Sequence, residues 1–399
     1  MTTTTEPVIY DPYAYEIHED PYPTYTRMRA EAPVYRNDER NFWALSRHAD
    51  VMAAFRDSDR FSNAQGVSID PAASGPHAHK SMSFLAMDPP EHGRMRGLVS
   101  RAFTPRRVAE MEPHLRQLVV DRVETCVEMG DFDFVADLAG KVPMDVISEM
   151  VGVPMADRAE LRRKSDLLVH REEGVVDVPE AGMVAALELA GYYADMVADR
   201  RKHLSDDLVS GLCVAEIDGD RLTDDEIISF LFLMVVAGNE TTTKLLAHAW
   251  YWAWKNPDER SKVFSDPSRI VDWGEETLRY DTSSQMLARV THVDVELHGQ
   301  VIPAGDRVLL LAGSANRDGD AFPDPDVYDL DRDTTGIASF GVGRHFCLGA
   351  SLARLENKMV LEELISRVDG YDIDQAASRR VHSVNVRGFE TLPTSVSVR

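Results

Sequence analysis

The sequence predicts a mainly α-helical domain with a small strand-rich part. Apolar residues recur at helical spacing over long stretches, namely Glu110 to Met129, Val142 to Val151, Ala181 to His203 and Ile227 to His248. Strict apolar/polar alternation, which is typical of half-buried strands, dominates only later, at Val293, Val295 and Leu297. Because we find neither internal repeats nor a low-complexity linker, we predict one domain over residues 1–399, with disorder up to about residue 15.

The other predicted elements are short and lie nearer the two ends of the chain. They are a helix over Tyr22 to Ala30, a hairpin of Val34-Tyr35 and Phe42 to Leu45, a loop over Asn63 to His79, a strand over Val308 to Leu311, and a closing hairpin of Val384 to Val386 with Ser395 to Val398.

Composition restricts the partners of the chain. With 67 acidic and 43 basic side chains the formal charge is -24, which disfavours binding to nucleic acid or anionic lipid. The three cysteines lack the paired short spacing of disulfide frameworks and zinc sites. The first residues do not resemble a secretory signal, and no apolar stretch is long enough to span a bilayer. We therefore expect a cytoplasmic monomer that binds neither nucleic acid nor membrane.

The densest motif surrounds Cys347, in Phe340-Gly341-Val342-Gly343-Arg344-His345-Phe346-Cys347-Leu348-Gly349. Its glycines permit a tight loop whose backbone can approach a flat ligand. Helical spacing of apolar residues after Leu348 places Cys347 just before a helix N-terminus, where the helix dipole and Arg344 should favour a thiolate. A lone cysteine is more often a small buried apolar residue, so the surrounding loop carries this prediction.

A second motif, Ala237-Gly238-Asn239-Glu240-Thr241-Thr242, interrupts the apolar Ile227 to His248 helix. Burying a carboxylate and a hydroxyl there is costly unless they are hydrogen-bonded, which suggests a task. Gly238 would let a ligand such as O2 approach the backbone, Thr241 would hydrogen-bond that ligand, and Glu240 would relay protons. Alternatively, Thr241 bonds back to a backbone carbonyl at a helix kink.

The Cys347 string resembles the heme-binding loop of the cytochromes P-450, particularly the soluble bacterial members with His two residues before Cys. In that family the thiolate ligates the iron and assists O–O cleavage. Four further segments match family motifs, in the expected order: Asp88-Pro89-Pro90-Glu91-His92 with Arg96; Glu276-x-x-Arg279; Arg289; and Phe322-x-x-Pro325 with Arg332. The resemblance extends from about Pro21 to about Phe389.

The resemblance implies a cytochrome P-450 fold with one heme b between the Glu240-Thr241 helix and the helix after Cys347. Cys347 is expected to bind the iron, and Glu240 and Thr241 to act in catalysis. The remaining cofactor-binding residues implied are His92, Arg96, Ala237, Gly238, Arg289, Phe340, Gly341, His345 and Gly349. Among them His92, Arg96, Arg289 and His345 would bind the heme propionates. Glu276, Arg279 and Arg332 are expected to fix the cysteine loop.

The implied reaction is monooxygenation, commonly C–H hydroxylation, of a mid-sized and largely apolar substrate such as a fatty acid, terpenoid, steroid or polyketide. Its selectivity is expected from residues Asn63 to Leu85, Leu167 to Met183, Met234 to Thr241, Ser284 to Ala288 and Val384 to Val386. Arg171, Glu172 and Glu173 are interpreted as the solvated face of a mobile lid.

Electron supply separates the main hypothesis from its rivals. Because the chain lacks a G-x-G-x-x-G dinucleotide motif, we expect a separate ferredoxin and its reductase. The docking surface is expected to be a basic patch of Arg94, Arg101, Arg106, Arg107, Arg344 and Arg354. One alternative is a peroxide-driven heme-thiolate peroxygenase, which would have no use for the Glu240-Thr241 pair. The other is a non-catalytic heme sensor, disfavoured because Ala237 to Thr242 contain no His, Met or Lys to cap the iron.

Overall fold

Helices make up most of the chain. The structure is a computed structural model that describes residues 6–102, 105–172 and 176–399. Its helices are α1 (Tyr15–Glu19), α2 (Tyr22–Glu31), α3 (His48–Arg56), α4 (His79–Met82), α5 (Glu91–Ala102), α6 (Pro105–Met129), α7 (Val142–Val151), α8 (Met155–Val169), α9 (Glu180–Arg200), α10 (Leu208–Val214), α11 (Asp224–Lys255), α12 (Pro257–Ser265), α13 (Ile270–Tyr280), α14 (Ala312–Ala315) and α15 (Ala350–Arg367). The predicted mainly α fold with small sheets is confirmed.

The strands are short. They are β1 (Val34–Asn37), β2 (Phe42–Leu45), β3 (Phe61–Ser62), β4 (Asp131–Asp133), β5 (Glu216–Ile217), β6 (Asp220–Arg221), β7 (Leu287–Thr291), β8 (Val295–Leu297), β9 (Gln300–Ile302), β10 (Arg307–Leu310), β11 (Val368–Ile373), β12 (Arg379–Arg380), β13 (Phe389–Thr391) and β14 (Pro393–Val398). A five-stranded sheet has the order β1-β2-β10-β7-β3, and a three-stranded sheet has the order β11-β14-β4. The larger sheet carries Arg289 on β7, at the edge of the helical core.

Helix α11 runs through the centre of the helical core. Its start is fixed by a capping box, because the Thr223 hydroxyl accepts from the Glu226 N–H and the Glu226 carboxylate accepts from the Thr223 N–H. The helix packs on α7, α8, α9, α13 and α15. Near its end, Trp250 is fully buried and stacks on Tyr371 with ring centroids 3.5 Å apart. Apolar burial on several sides therefore holds in place the helix that carries Glu240 and Thr241.

One prediction about the end of the chain is wrong. Residues 384–386 form no strand: Val384 and Val386 are buried, and their backbone takes part in a single isolated bridge, from Ser284 to Val386. The closing strand β14 pairs instead with β11 and β4. At the other end, Tyr10 is buried against neighbouring aromatic rings; residues 1–5 lie outside the described part.

Among the described residues, no helix combines the length and the apolarity that crossing a membrane requires.

Candidate active site

The loop that carries Cys347 is closed by its own backbone. The Cys347 N–H donates to the Phe340 carbonyl at 2.9 Å, and α15 begins at Ala350, which confirms the predicted helix. Gly341 (φ +63°) and Gly343 (φ +76°) adopt left-handed conformations that a side chain would strain. A Cβ on Gly343 would also approach the Arg56 Cα to 3.3 Å. In contrast, a Cβ on Gly341 or Gly349 would enter open space next to the cysteine.

A buried ion-pair network holds the segment before this loop. Arg279 donates two hydrogen bonds of 2.7 Å to Glu276, and the Arg332 guanidinium lies 3.5 Å from the same carboxylate. Arg279 also bonds the carbonyl of Asn316, whose side chain accepts from the Ala338 N–H at 2.7 Å. The expected pairing of Glu276 with Arg279 is thus confirmed, and the network is joined to the start of the cysteine loop.

A cluster of cationic and imidazole side chains lies beside the loop. The rings of His92 and His345 are 4.0 Å apart, and Arg96 donates to the Phe346 carbonyl at 2.7 Å. The buried atoms without a hydrogen-bond partner include His92 Nε2, Arg96 Nη1 and both ring nitrogens of His345. Arg289 is 2 % exposed and donates to the carbonyl of its own neighbour, Ala288, at 2.7 Å. Donors from α5, β7 and the cysteine loop are thus gathered with few acceptors.

Burial lowers several pKa values in this cluster. Burial, then His92 and Arg289, lower the pKa of His345 to about 2. Burial, then Arg96 and Arg344, lower the pKa of His92 to about 4. Burial lowers the pKa of Arg289 to about 10. In each case burial disfavours the positive charge of the group, which an anionic ligand bound beside it would favour.

On α11, Thr241 and Ala237 retain accessible surface, and the Thr241 hydroxyl donates to the Ala237 carbonyl at 2.7 Å. The bond back to a carbonyl, the alternative kept open above, is therefore present; it leaves the hydroxyl oxygen able to accept. A Cβ on Gly238 would meet Ile147 of α7 at 2.5 Å, so this glycine allows the two helices to pack closely.

Glu240 is buried and does not stand alone. Its Oε2 lies 3.3 Å from the Lys244 Nζ, one turn further along α11, and Lys244 donates to the Phe389 carbonyl at 3.0 Å. On its other side Glu240 meets the carboxyl group of Asp166 from α8. Sequence reasoning missed both partners. The i to i+4 spacing of Glu240 and Lys244 was a usable signal, whereas nothing local pointed to Asp166.

Comparison with known proteins decides the family. A Cytochrome P450 family model matches residues 274–370. The chain is 55% identical to "Putative cytochrome P450 123" of Mycobacterium tuberculosis over 393 residues, 98% of each chain. The chain belongs to the cytochrome P450 family. The solved structure of cytochrome P450 CYP109Q5 from Chondromyces apiculatus superposes with a TM-score of 0.89 at 35% identity, covering 98% of each chain. That of CYP109E1 from Bacillus megaterium in complex with corticosterone has a TM-score of 0.84 at 32% identity, covering 95% of this chain and 99% of that one.

Cytochromes P450 bind heme b, and the residues of this P450 fit that group. Heme carries two carboxylates, and the unpartnered nitrogens of His92, Arg96 and His345, with the buried guanidinium of Arg289, are the kind of groups that bind carboxylates. The open space beside Gly341 and Gly349 suits a flat ring close to the backbone. Cys347 supplies the thiol ligand. Donor chemistry and shape therefore both agree with heme.

The expected charge environment of the P450 cysteine needs correction. Burial raises the pKa of the Cys347 thiol, and the cations that oppose this are Arg96 and Arg354 rather than Arg344. The N–H groups of Gly349 and Ala350 also lower the pKa, in agreement with a position at a helix N-terminus. The protein alone therefore keeps the group a thiol, and a bound metal ion would be needed to deprotonate it.

The predicted basic patch is wrong for three of its members, because acidic partners neutralise them. Arg94 pairs with Asp220 and Glu226, Arg354 pairs with Glu275, and Arg106 pairs with Glu110. Arg101 and Arg344 are exposed. The side chain of Arg107 lies outside the described part.

The proposed lid is also more tightly held than predicted. Arg171 is 5% exposed and donates to Asp70 at 2.6 Å and 3.3 Å, so it is not part of a solvated face. Asp70 belongs to the Asn63 to His79 loop, which the ion pair ties to the end of α8. Glu172 is exposed as expected, and Glu173 lies outside the described residues.

Proposed function

We propose that this P450 hydroxylates a C–H bond of a mid-sized, largely apolar substrate, with electrons from a separate ferredoxin and reductase. The observation that carries the proposal is the cluster of His92, Arg96, Arg289 and His345 beside the Cys347 loop, in which His92, Arg96 and His345 keep buried nitrogens without a hydrogen-bond partner. We assign these four residues to the heme propionates and Cys347 to the iron. Ala237, Gly238, Phe340, Gly341 and Gly349 would contact the ring.

Bound there, the heme supplies O2 activation, and a thiolate ligand strengthens it by donating electron density. The chain supplies the rest. Thr241 is positioned by its bond to the Ala237 carbonyl, so its oxygen can accept a hydrogen bond from a water molecule or another protonated group beside it. Glu240, ionised beside Lys244, can accept a proton at its carboxylate and pass it toward Thr241. The small Ala237 side chain keeps this face of α11 accessible.

A steroid is the substrate class we favour. The P450 CYP109E1, similar over 95% of this chain, binds corticosterone in its solved structure. The segments expected to give selectivity also offer apolar side chains that remain partly accessible, including Leu85, Leu168, Met234 and Leu287. Apolar walls with few charges suit a rigid, mostly hydrocarbon ligand.

Ferredoxin docking is proposed on the Cys347 side, where Phe346 is 41% exposed next to the cysteine. With Arg94 and Arg354 engaged by acids, we assign the main charged contact to Arg344. A small apolar centre with a charged rim is typical of transient protein interfaces.

Spectroscopy tests the proposal. The heme-loaded protein, reduced and saturated with carbon monoxide, should show thiolate-ligated absorption, and Cys347→Ser should lose it. Cys126→Ser, which changes another free cysteine, is the matched control and should keep it. A thiolate spectrum that survives in Cys347→Ser would refute the iron assignment. For the substrate class, corticosterone should shift the iron from low to high spin; a steroid panel without any shift would refute that class.

A further inference from the structure

Helix α8 brings a second carboxyl group to the catalytic acid. The Ser165 hydroxyl donates to the Val235 carbonyl at 3.4 Å, which sets α8 against α11. The next residue, Asp166, forms a side-chain hydrogen bond with Glu240. The Glu240 side chain is 4% exposed, whereas that of Asp166 is 47% exposed. Asp166 is thus the member of the pair that reaches accessible space.

The charges around the two carboxyl groups are unequal. Lys244 lies 3.3 Å from Glu240 and is anchored on the Phe389 carbonyl. Arg162 lies 3.9 Å from Asp166, and its terminal nitrogens donate to the carbonyls of residues 135 and 136. The nearer cation therefore favours a negative charge on Glu240, and the more distant one does less for Asp166.

Two carboxyl groups in hydrogen-bond contact retain one proton between them, because both cannot ionise cheaply. Partial burial and then the charge of Glu240 raise the pKa of Asp166 above its usual value. Burial opposes ionisation of Glu240, yet Lys244 and the bond from Asp166 keep its pKa below the usual value. At neutral pH the proton therefore resides on Asp166, which donates it to the Glu240 carboxylate.

We propose that Asp166 is a positioning residue for Glu240. Asp166 holds the proton that the two carboxyl groups share, and it replaces each proton that leaves through Glu240. This proposal rests on the monooxygenase function proposed above. Asp166 transfers its proton to the Glu240 carboxylate, Glu240 passes a proton toward Thr241, and the Asp166 carboxylate then takes one from water. No heavy-atom bond forms or breaks.

A purely structural role is the main competing explanation. Asp166 would then be an ionised partner of Arg162 at i and i+4, a pair that at 3.9 Å and with the acid half exposed contributes little. The two explanations differ in one measurable property, since only a proton-holding Asp166 is protonated at neutral pH.

Infrared difference spectroscopy of the heme-loaded protein during a pH titration tests this directly. The carbonyl stretch of a protonated carboxyl group is followed in a Glu356→Gln background, because burial also raises the pKa of Glu356. In that background the band should titrate with a midpoint well above that of an exposed aspartate, vanish in Asp166→Asn and persist in Glu160→Gln, an exposed acid of the same helix. In Glu240→Gln the midpoint should fall, because the neighbouring negative charge is gone. A band that persists in Asp166→Asn, or a midpoint unchanged in Glu240→Gln, would overturn the proposal.

Turnover provides the second readout. Product formed per reducing equivalent should drop about tenfold or more in Asp166→Asn, since a positioned proton transfer contributes about 10²–10⁴-fold. Its solvent isotope effect should also rise. An Asp166→Asn enzyme with wild-type coupling and pH profile would overturn the proposal, while the carbon monoxide spectrum reports separately on the proposed function.

Discussion

The buried Arg279 provides a quantitative test of how the cysteine loop is held. Arg279 is 0% exposed and donates to Glu276 twice, and to the carbonyls of Asn316, Pro325 and Val327. Arg279→Lys keeps the charge but has three donors, so two of the acceptors lose a partner. Each unpaired buried acceptor costs about 1–3 kcal/mol, which gives a loss of about 2–6 kcal/mol in the free energy of unfolding.

The chain contains a matched surface control. Arg163 donates to Glu160 at 2.8 Å and 2.7 Å with the same i, i+3 spacing, but the two side chains are 58% and 51% exposed. Arg163→Lys should cost at most about 1 kcal/mol, as exposed ion pairs do. Urea unfolding of the heme-loaded proteins, followed by tryptophan fluorescence, measures both. Equal losses in the two variants would refute the claim that burial of the Arg279 network stabilises the loop.

Three further predictions concern the site. Arg289→Met should speed heme transfer to an apo-globin acceptor at least about tenfold, because a buried charge-assisted bond worth about 1.5–3 kcal/mol is lost; an unchanged rate would contradict its assignment. Thr241→Val should lower product per electron while leaving peroxide-driven turnover nearly intact, and equal loss of both activities would contradict its role. Burial raises the pKa of Glu356 to about 8. Between about pH 4.5 and pH 8 the folded protein therefore keeps a proton on Glu356 that the unfolded chain has lost, and the free energy of unfolding falls as the pH rises through this range. In Glu356→Gln the free energy of unfolding should fall less steeply with pH, by up to about 1.4 kcal/mol per pH unit. Urea titrations at several pH values measure this dependence, and a pH dependence equal to that of the unmodified protein would contradict the prediction.

The sequence was most informative where function lies in contiguous residues. The Cys347 string and the helix around Glu240 each carry their chemistry within ten residues, so their local structure followed from spacing alone. Long-range packing was different. Gly238 faces Ile147, a contact across about ninety residues that no pattern near either one encodes.

The sequence also did not predict which partners the charged residues would have. Arg171 is a charged residue in a segment that is typical of an exposed loop. Its burial depends on Asp70, a hundred residues earlier. Asp166 likewise has a helical pattern that does not distinguish it from its exposed neighbours. An ionisable side chain is buried when a partner compensates it, and the identity of that partner is a property of the tertiary fold.

The anchoring of Lys244 on the Phe389 carbonyl has a consequence for the order of folding. The two residues are 145 positions apart, and β14, which follows Phe389, pairs with the still more distant β4. Contacts between residues far apart in sequence close long loops, whose entropy must be lost before the contact stabilises the chain, so they form more slowly than helices do. The compensation of the Glu240 charge is therefore expected late in folding, and heme that binds earlier meets a pocket whose catalytic acid is not yet in its final setting.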